Sequence, residues 1–116
     1  MNIKIVKQPM PRQELASLAH AQFGVMVKAV VDVDQKIMAV GGELHADAEV
    51  LLTDQENSRR EDTWGVNLYP EKSGEAWIEF DSMINLKPSL GNRSRGVESA
   101  ATRGQIKQIV GQLILK

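Results

Sequence analysis

Hydrophobic residues that recur at every second position, the period of a β-strand, mark the first part of the chain. Ile3 and Ile5 form the first such run, which predicts a short N-terminal strand. The longest run covers residues 25–33, where one face carries Val25, Val27, Ala29, Val31 and Val33. A turn at 34–35 leads into another hydrophobic run at 36–40, so these two runs predict a hairpin.

Two further strands are predicted at residues 64–69 and 75–86, with Pro70 and Gly74 in the connection between them. Two successive glycines at 41–42 close the preceding hairpin. Because glycine has no Cβ, this pair indicates a bulge or a place where backbone or ligand approaches closely.

Two segments instead have the spacing of three and four residues that is typical of an amphipathic helix. In the first, predicted over residues 11–23, Leu15 and Leu18 share a stripe, and Gly24 follows as a C-terminal cap residue. The second is predicted to begin at 98–99 and to run toward the C-terminus. Its hydrophobic stripe consists of Ile106, Ile109, Val110, Leu113 and Ile114.

Residues 43–53 fit two interpretations. Their alternate positions are hydrophobic, which indicates a strand, yet Asp47 can cap a helix start and Glu49 suits its first turn. We favour a strand that ends near Ala46 and is followed by a short helix, and both interpretations stay open. The next stretch, 54–62, has no hydrophobic residue and predicts a solvated loop.

These elements together predict an α+β fold. We expect a single-layer, mostly antiparallel sheet of four to six strands, packed by an N-terminal and a C-terminal helix. No internal repeat or shift in composition divides the chain, so residues 1–116 are predicted to form one domain. A chain of 116 residues can bury a hydrophobic core without a metal or disulfide staple.

Composition removes several classes of protein. The chain has no cysteine, which excludes thiol catalysis, disulfide frameworks and zinc sites with cysteine ligands. Its 42% hydrophobic and 25% charged residues are typical of a globular protein. The N-terminus lacks the pattern of a secretory signal, and no hydrophobic run approaches the roughly 18 residues of a membrane span. We therefore expect a cytoplasmic protein with no membrane partner.

The net charge of −1 conceals an uneven distribution. Residues 43–84 carry eleven acidic and three basic side chains, whereas residues 85–116 carry one acidic and six basic. Such asymmetry can mark an anion-binding surface next to a surface that suits a metal or another cation, and the favoured alternative is pairing of the two segments within the folded protein. The small total charge argues against a general nucleic-acid binder.

Glu43, His45 and Asp47 form the first candidate site. In an extended segment these three side chains project from one face, since strand positions i and i+2 lie side by side. One imidazole and two carboxylates suit a divalent metal, and they also suit a base that a carboxylate orients. The alternative is a polar cluster with a structural role.

The second candidate site is the arginine loop, residues 91–96, directly before the last helix. Its ligand-binding residues are predicted to be Asn92, Arg93, Ser94 and Arg95. Two guanidinium groups and the first N–H groups of a helix suit an anionic or phosphate-bearing small molecule. The loop lacks the Gly-Lys-Ser/Thr ending of a Walker motif. The alternative is a turn whose arginines pair with the acidic middle segment.

Four segments of the chain, at 36–47, 64–70, 78–88 and 91–95, carry a resemblance to known proteins. Together they resemble a family of small, mostly bacterial, uncharacterised proteins, a domain of unknown function. The likeness covers nearly the whole chain and implies a bacterial, single-domain, stand-alone protein. It implies no activity, so no catalytic residue and no cofactor is transferred.

Three hypotheses about function follow. The favoured one is a binding domain for an anionic or phosphate-bearing ligand, held by the arginine loop. The second is a metal-dependent, hydrolase-like enzyme in which Glu43, His45 and Asp47 hold the metal, so that enzymatic activity and cofactor stay open. The third is a structural or oligomeric protein, for example a homodimer paired through a sheet edge or through the apolar face of residues 25–33.

Overall fold

A computed structural model describes residues 2–116 and confirms the α+β fold class. The strands are β1 Ile3–Val6, β2 Met10–Pro11, β3 Val27–Asp32, β4 Ile37–Gly41, β5 Thr63–Leu68, β6 Ile78–Glu79 and β7 Ile114–Leu115. The helices are α1 Arg12–Gln22, α2 His45–Glu56 and α3 Ala100–Leu113. Five strands form one antiparallel sheet in the order β1-β4-β3-β5-β6, and β2 pairs with β7 in parallel.

The N-terminal and C-terminal helices, α1 and α3, cover one face of the sheet. Because side chains alternate along a strand, β3 points Val27, Ala29 and Val31 toward these helices. The helices bury their own stripes against this face, and the residues involved are Leu15, Ala19, Ile106, Ile109, Val110 and Leu113. The C-terminal helix begins where predicted, since Ser99 Oγ accepts the N–H of Thr102 as a helix cap.

The apolar face predicted at residues 25–33 is therefore not a free surface. Val27, Ala29 and Val31 are each 0% exposed beneath α1 and α3 of the same chain. The expectation that this face pairs two subunits is wrong, because the chain's own helices already occupy it.

The other face of the sheet is covered by α2, and this settles the ambiguity of residues 43–53. The strand expected to end near Ala46 does not form, because the helix already begins at His45. A helix buries Ala48 and Leu52, four positions apart, against Val30 of β3, and it leaves Val50 exposed. Helical spacing thus explains which residues are buried, whereas strand alternation would have placed Val50 on the same face as the other two.

Of the strand predicted at 75–86, only Ile78–Glu79 is paired. Ser82 Oγ accepts the N–H of Ile84, and Met83–Asn85 forms a 3-10 turn. The Asn85 side chain then takes the place of a neighbouring strand: it accepts the N–H of Gly65 at 2.8 Å and donates to the carbonyl of Gly65 at 3.0 Å. Polar side chains that bind nearby backbone compete with a regular ladder and end it here.

The close backbone approach expected at residues 41–42 is confirmed. Gly41 has φ +106°, and the carbonyl of Asn2 occupies the space that a Cβ would need. Elsewhere in the fold, none of the helices within residues 2–116 combines the length and the apolar character needed to cross a bilayer.

Candidate functional site

A cleft of about 380 Å³ opens on the α2 side of the sheet, between the first turn of α2 and the segment after β6. We call it the α2 cleft. Its apolar lining consists of Met26, Leu44, Ala46, Met83 and Ile84. Its polar lining consists of Lys28, His45, Asn67, Asp81, Ser82 and Arg95. Small-molecule sites in proteins commonly combine a mostly apolar lining with a few polar groups in this way.

Strand alternation and one glycine create the α2 cleft. Val27 and Val66 point into the core under α1 and α3, so the neighbouring Lys28 and Asn67 project from the opposite face. Two residues before Asn67, β5 carries Gly65, where an added Cβ would collide with Ser82 and would lie 3.1 Å from the ring of His45. Glycine at this position lets both walls of the cleft pack directly on the sheet.

His45 forms part of the wall at the start of α2. Its Nε2 lies 2.9 Å from the carbonyl oxygen of Val66. Because a carbonyl only accepts, Nε2 carries the proton and Nδ1 is left as an acceptor. Burial lowers the pKa of His45 below its ordinary value and Lys28 adds to this effect, while the Val66 carbonyl, Asn67 and Asp81 oppose it. The imidazole is therefore neutral at physiological pH.

Asn67 lies beside this imidazole and is 7% exposed. Its Nδ2 donates to Glu79 Oε1 at 2.8 Å, which fixes the orientation of the amide, since the flipped amide would set two oxygens against each other. The opposite atom, Oδ1, is shielded from solvent. The side chain of Asn67 also forms a hydrogen bond with His45 that raises the pKa of this imidazole, so the two groups form one polar pair in the wall of the α2 cleft.

Two cations border the α2 cleft. Lys28 lies with its Nζ 5.4 Å from the centre of the Phe23 ring. Arg95 donates from Nε to Asp81 Oδ1 at 2.7 Å, and both side chains of this pair are about half exposed. An exposed pair of this kind contributes little to stability, so Asp81 mainly orients the guanidinium. With His45 neutral, the cations outnumber the carboxylate at this rim.

The structure does not bring the three predicted metal ligands together. Glu43 is exposed before α2, His45 is buried in its first turn, and Asp47 is exposed on the same turn. The premise of an extended segment with one polar face is wrong, because residues two apart on a helix point in different directions. Within residues 2–116 no three His, Asp or Glu side chains are arranged to hold a metal ion.

The arginine loop uses most of its polar groups on itself. Asn92 is buried, its Nδ2 donates to the carbonyls of Asn85 and Gly96, and its Oδ1 accepts the N–H of Glu98. Ser94 Oγ accepts the N–H of Gly96. The carboxylate of Glu98 accepts the N–H of Arg93 at 2.7 Å, so the chain's own carboxylate lies beside the start of α3, where an external anion was expected.

The two candidate sites nevertheless each contribute one residue to the α2 cleft. His45 from the first and Arg95 from the second line the α2 cleft, whereas Arg93 is exposed outside it. Sequence reasoning missed Lys28 and Asn67 as site residues. The sequence contains a signal for both residues, because Lys28 and Asn67 are polar residues within hydrophobic strands and lie on the face opposite the core.

The chain belongs to the family described as "Protein of unknown function (DUF5674)", whose model matches residues 4–113. This confirms the expected resemblance to a domain of unknown function over nearly the whole chain. No match to the chain was found among the curated proteins or among the solved structures.

Proposed function

We propose that this member of the DUF5674 family is a binding domain for a small anionic ligand, which it holds in the α2 cleft. The ligand is a carboxylate or a phosphate ester that also has an apolar part. The observation that carries the proposal is that Lys28 and Arg95 border the same apolar-lined cleft.

The two cations come from parts of the chain that support them differently. Lys28 is on β3, the central strand, where it pairs with Asn67 of β5, and the pairing of β3 with β4 begins at the next residue, Ala29. Arg95 is on a loop, but its guanidinium is oriented by Asp81 and its carbonyl accepts the N–H of Ser82 at 3.0 Å. Cations that are held in place before binding lose less conformational freedom when an anion arrives.

The apolar lining sets the second requirement for the ligand. Leu44 and Met83 are 56% and 63% exposed at the edges of the cleft, so a ligand with a hydrocarbon or aromatic part would cover surface that now contacts water. Covering such surface is favourable at roughly 25 cal/mol per Å². A purely inorganic anion would leave this contribution unused.

Calorimetric titration with benzoate and with phenyl phosphate tests the proposal. We expect both probes to bind the wild-type protein, and phenyl phosphate to bind more tightly than inorganic phosphate. Lys28→Gln and Arg95→Gln should each weaken binding about tenfold, since a hydrogen bond to a charged group contributes about 1.5–3 kcal/mol. Arg93→Gln is the matched control, because it removes the same charge from the same loop outside the cleft.

Equal losses in Arg95→Gln and Arg93→Gln would show a general charge effect and contradict the proposal. Absence of binding by both benzoate and phenyl phosphate would also contradict it. The side chains of Glu43, His45 and Asp47 do not converge, so they do not support a metal-dependent hydrolase. A bacterial source, a cytoplasmic location and a homodimer paired through a sheet edge stay predictions from the sequence.

A further inference from the structure

We propose that Lys87 is the nucleophile of a second site, where its amine condenses with the carbonyl group of a small aldehyde or ketone that also carries an anionic group. The site is a cavity of about 290 Å³, which we call the Lys87 pocket. Its lining combines Arg60 and Glu61, from the turn before β5, with side chains of residues 86–90. The Lys87 pocket shares no lining residue with the α2 cleft, so this inference goes beyond the proposed function.

The backbone and the amine of Lys87 are both held in place. The backbone N–H donates to the carbonyl of Asn92 at 2.9 Å, and the carbonyl of Lys87 accepts the N–H of Asn92 at 3.1 Å. The Nζ atom donates to the carbonyl of Ile84 at 3.0 Å and lies 5.1 Å from the centre of the Trp64 ring. Less freedom is therefore lost when a carbonyl carbon approaches this amine.

The surroundings of Lys87 favour the neutral amine, which is the nucleophilic form. Lys87 is half-buried. Of the lysines in residues 2–116, three pair with a glutamate, and Lys87 is not among them. Burial lowers the pKa of Lys87 and the charge of Arg60 adds to this effect, while Glu49 and Glu61 oppose it. A larger fraction of this amine is consequently neutral than of an exposed lysine at the same pH.

Arg60 is available for the anionic part of the ligand. Its side chain is 81% exposed, and its Nε lies 3.6 Å from Glu49 Oε1, which is too long for a hydrogen bond. A guanidinium binds a carboxylate or a phosphate through two parallel N–H groups, and this one borders the same cavity as the Lys87 amine. An anion bound to Arg60 brings its carbonyl carbon toward Nζ.

The reaction is a condensation that needs no oxidant or reductant. The lone pair of the neutral Lys87 amine attacks the carbonyl carbon, a C–N bond forms, and one amine proton moves to the carbonyl oxygen. The second amine proton and the new hydroxyl group then leave as water, and a C=N double bond remains. In its protonated form this imine keeps one N–H for the carbonyl of Ile84.

Labelling with two matched aldehydes tests this inference on the wild-type protein. We would use 4-formylbenzoate and its uncharged methyl ester at neutral pH, with sodium cyanoborohydride to reduce the imine to a stable secondary amine. Peptide mass spectrometry then gives the labelling rate of each lysine. We expect 4-formylbenzoate to label Lys87 faster than any other lysine, and about tenfold faster than the ester does, because only the acid binds a cation through its charge.

Lys72 is the matched lysine within the same molecule. Its Nζ also lies over an aromatic ring, 4.4 Å from the centre of Tyr69, but Lys72 is exposed. If Lys72, Lys28 or any other lysine is labelled as fast as Lys87, the inference is wrong. A preference for the acid over the ester below about threefold at Lys87 would overturn it as well.

Two neighbouring arginines locate the anion. Arg60→Gln should lower the ratio of acid to ester labelling at Lys87 about tenfold, and this ratio is independent of the neutral fraction of the amine. Arg59→Gln is the matched control, because it removes the same charge from the adjacent position outside the pocket. Equal changes of the ratio in both variants would contradict the role of Arg60. None of these outcomes affects the anion-binding proposal, which is tested at other residues.

Discussion

The two faces of the central sheet are covered by helices in different ways. Under α1 and α3 the buried side chains form one large hydrophobic cluster that contains Val27, Val66 and Leu15. Under α2 the hydrophobic cluster is small, and polar side chains occupy the remaining positions of the same strands. The first face carries the larger hydrophobic cluster, and the second contains the α2 cleft.

The polar positions of the second face show what this difference means. Asp32 is 1% exposed, and its carboxylate accepts from Ser58 Oγ at 2.6 Å and from two N–H groups of the β3–β4 turn. Glu49 is similarly buried and accepts from Thr63 Oγ1 at 2.7 Å. Buried polar groups in proteins are normally paired in this way.

The largest expected effect is on the face under α1 and α3. Leu15→Ala should lower the free energy of unfolding by about 2–5 kcal/mol, because Leu15 is fully buried between α1 and the sheet and its removal leaves a cavity. Leu44→Ala, the same substitution at the rim of the α2 cleft, should change it by less than about 0.5 kcal/mol. Urea denaturation of both variants measures this difference, and equal losses would mean that the two faces are packed alike.

The second largest effect on stability concerns Asn85, whose side chain pairs with the backbone of Gly65 where a neighbouring strand would otherwise pair. Asn85→Ala should lower the free energy of unfolding by about 2–3 kcal/mol, because it leaves the buried N–H and carbonyl of Gly65 without partners. Asn2→Ala, at an exposed position, is the matched control and should be nearly neutral. If thermal denaturation shows Asn85→Ala to be as stable as the control, the side chain does not hold the segment after β6 in place.

The smallest effect is a dependence on pH. His45 resists protonation in the folded protein, so below about its ordinary pKa of 6.5 the unfolded state binds more protons than the folded state. This contribution to stability is complete above that pH and is lost as the pH falls further. Urea denaturation between about pH 7 and pH 5 should therefore show declining stability, and the decline should be shallower in His45→Gln.

The exposed His20 provides the control for this measurement. His20→Gln should keep the decline of the wild-type protein, because His20 is exposed and its Nε2 lies 3.1 Å from the exposed side chain of Glu71. An unchanged pH dependence in His45→Gln would show that burial of this imidazole has no effect on stability.

Much of the fold could be predicted because periodicity depends on burial. The stripe from Ile106 to Leu113 predicted α3, and the alternation at 25–33 predicted β3 together with its buried face. Periodicity did not decide the structure of residues 43–53, because the positions of the alanines and leucines there fit the spacing of both a strand and a helix. The choice depends on tertiary packing of Ala48 and Leu52 against Val30, which local sequence does not contain.

The site could be predicted only in part. The arginine loop was identified by its charge. Charge alone does not show that the carboxylate of Glu98 accepts a hydrogen bond from the loop, or that the side chain of Asn92 donates to backbone carbonyls. The α2 cleft joins residues from β3, β5, α2 and two loops, so its formation depends on topology. Lys28 and Arg95 are far apart in sequence, and only the folded chain places both of them at the same cleft.

The most direct test of the central claim is chemical-shift mapping by NMR during titration with benzoate. The account predicts that the perturbed amides cluster at the α2 cleft, at Lys28, His45, Asn67 and Arg95. Perturbations confined to residues 92–94 and the start of α3, or no perturbation at all, would contradict it.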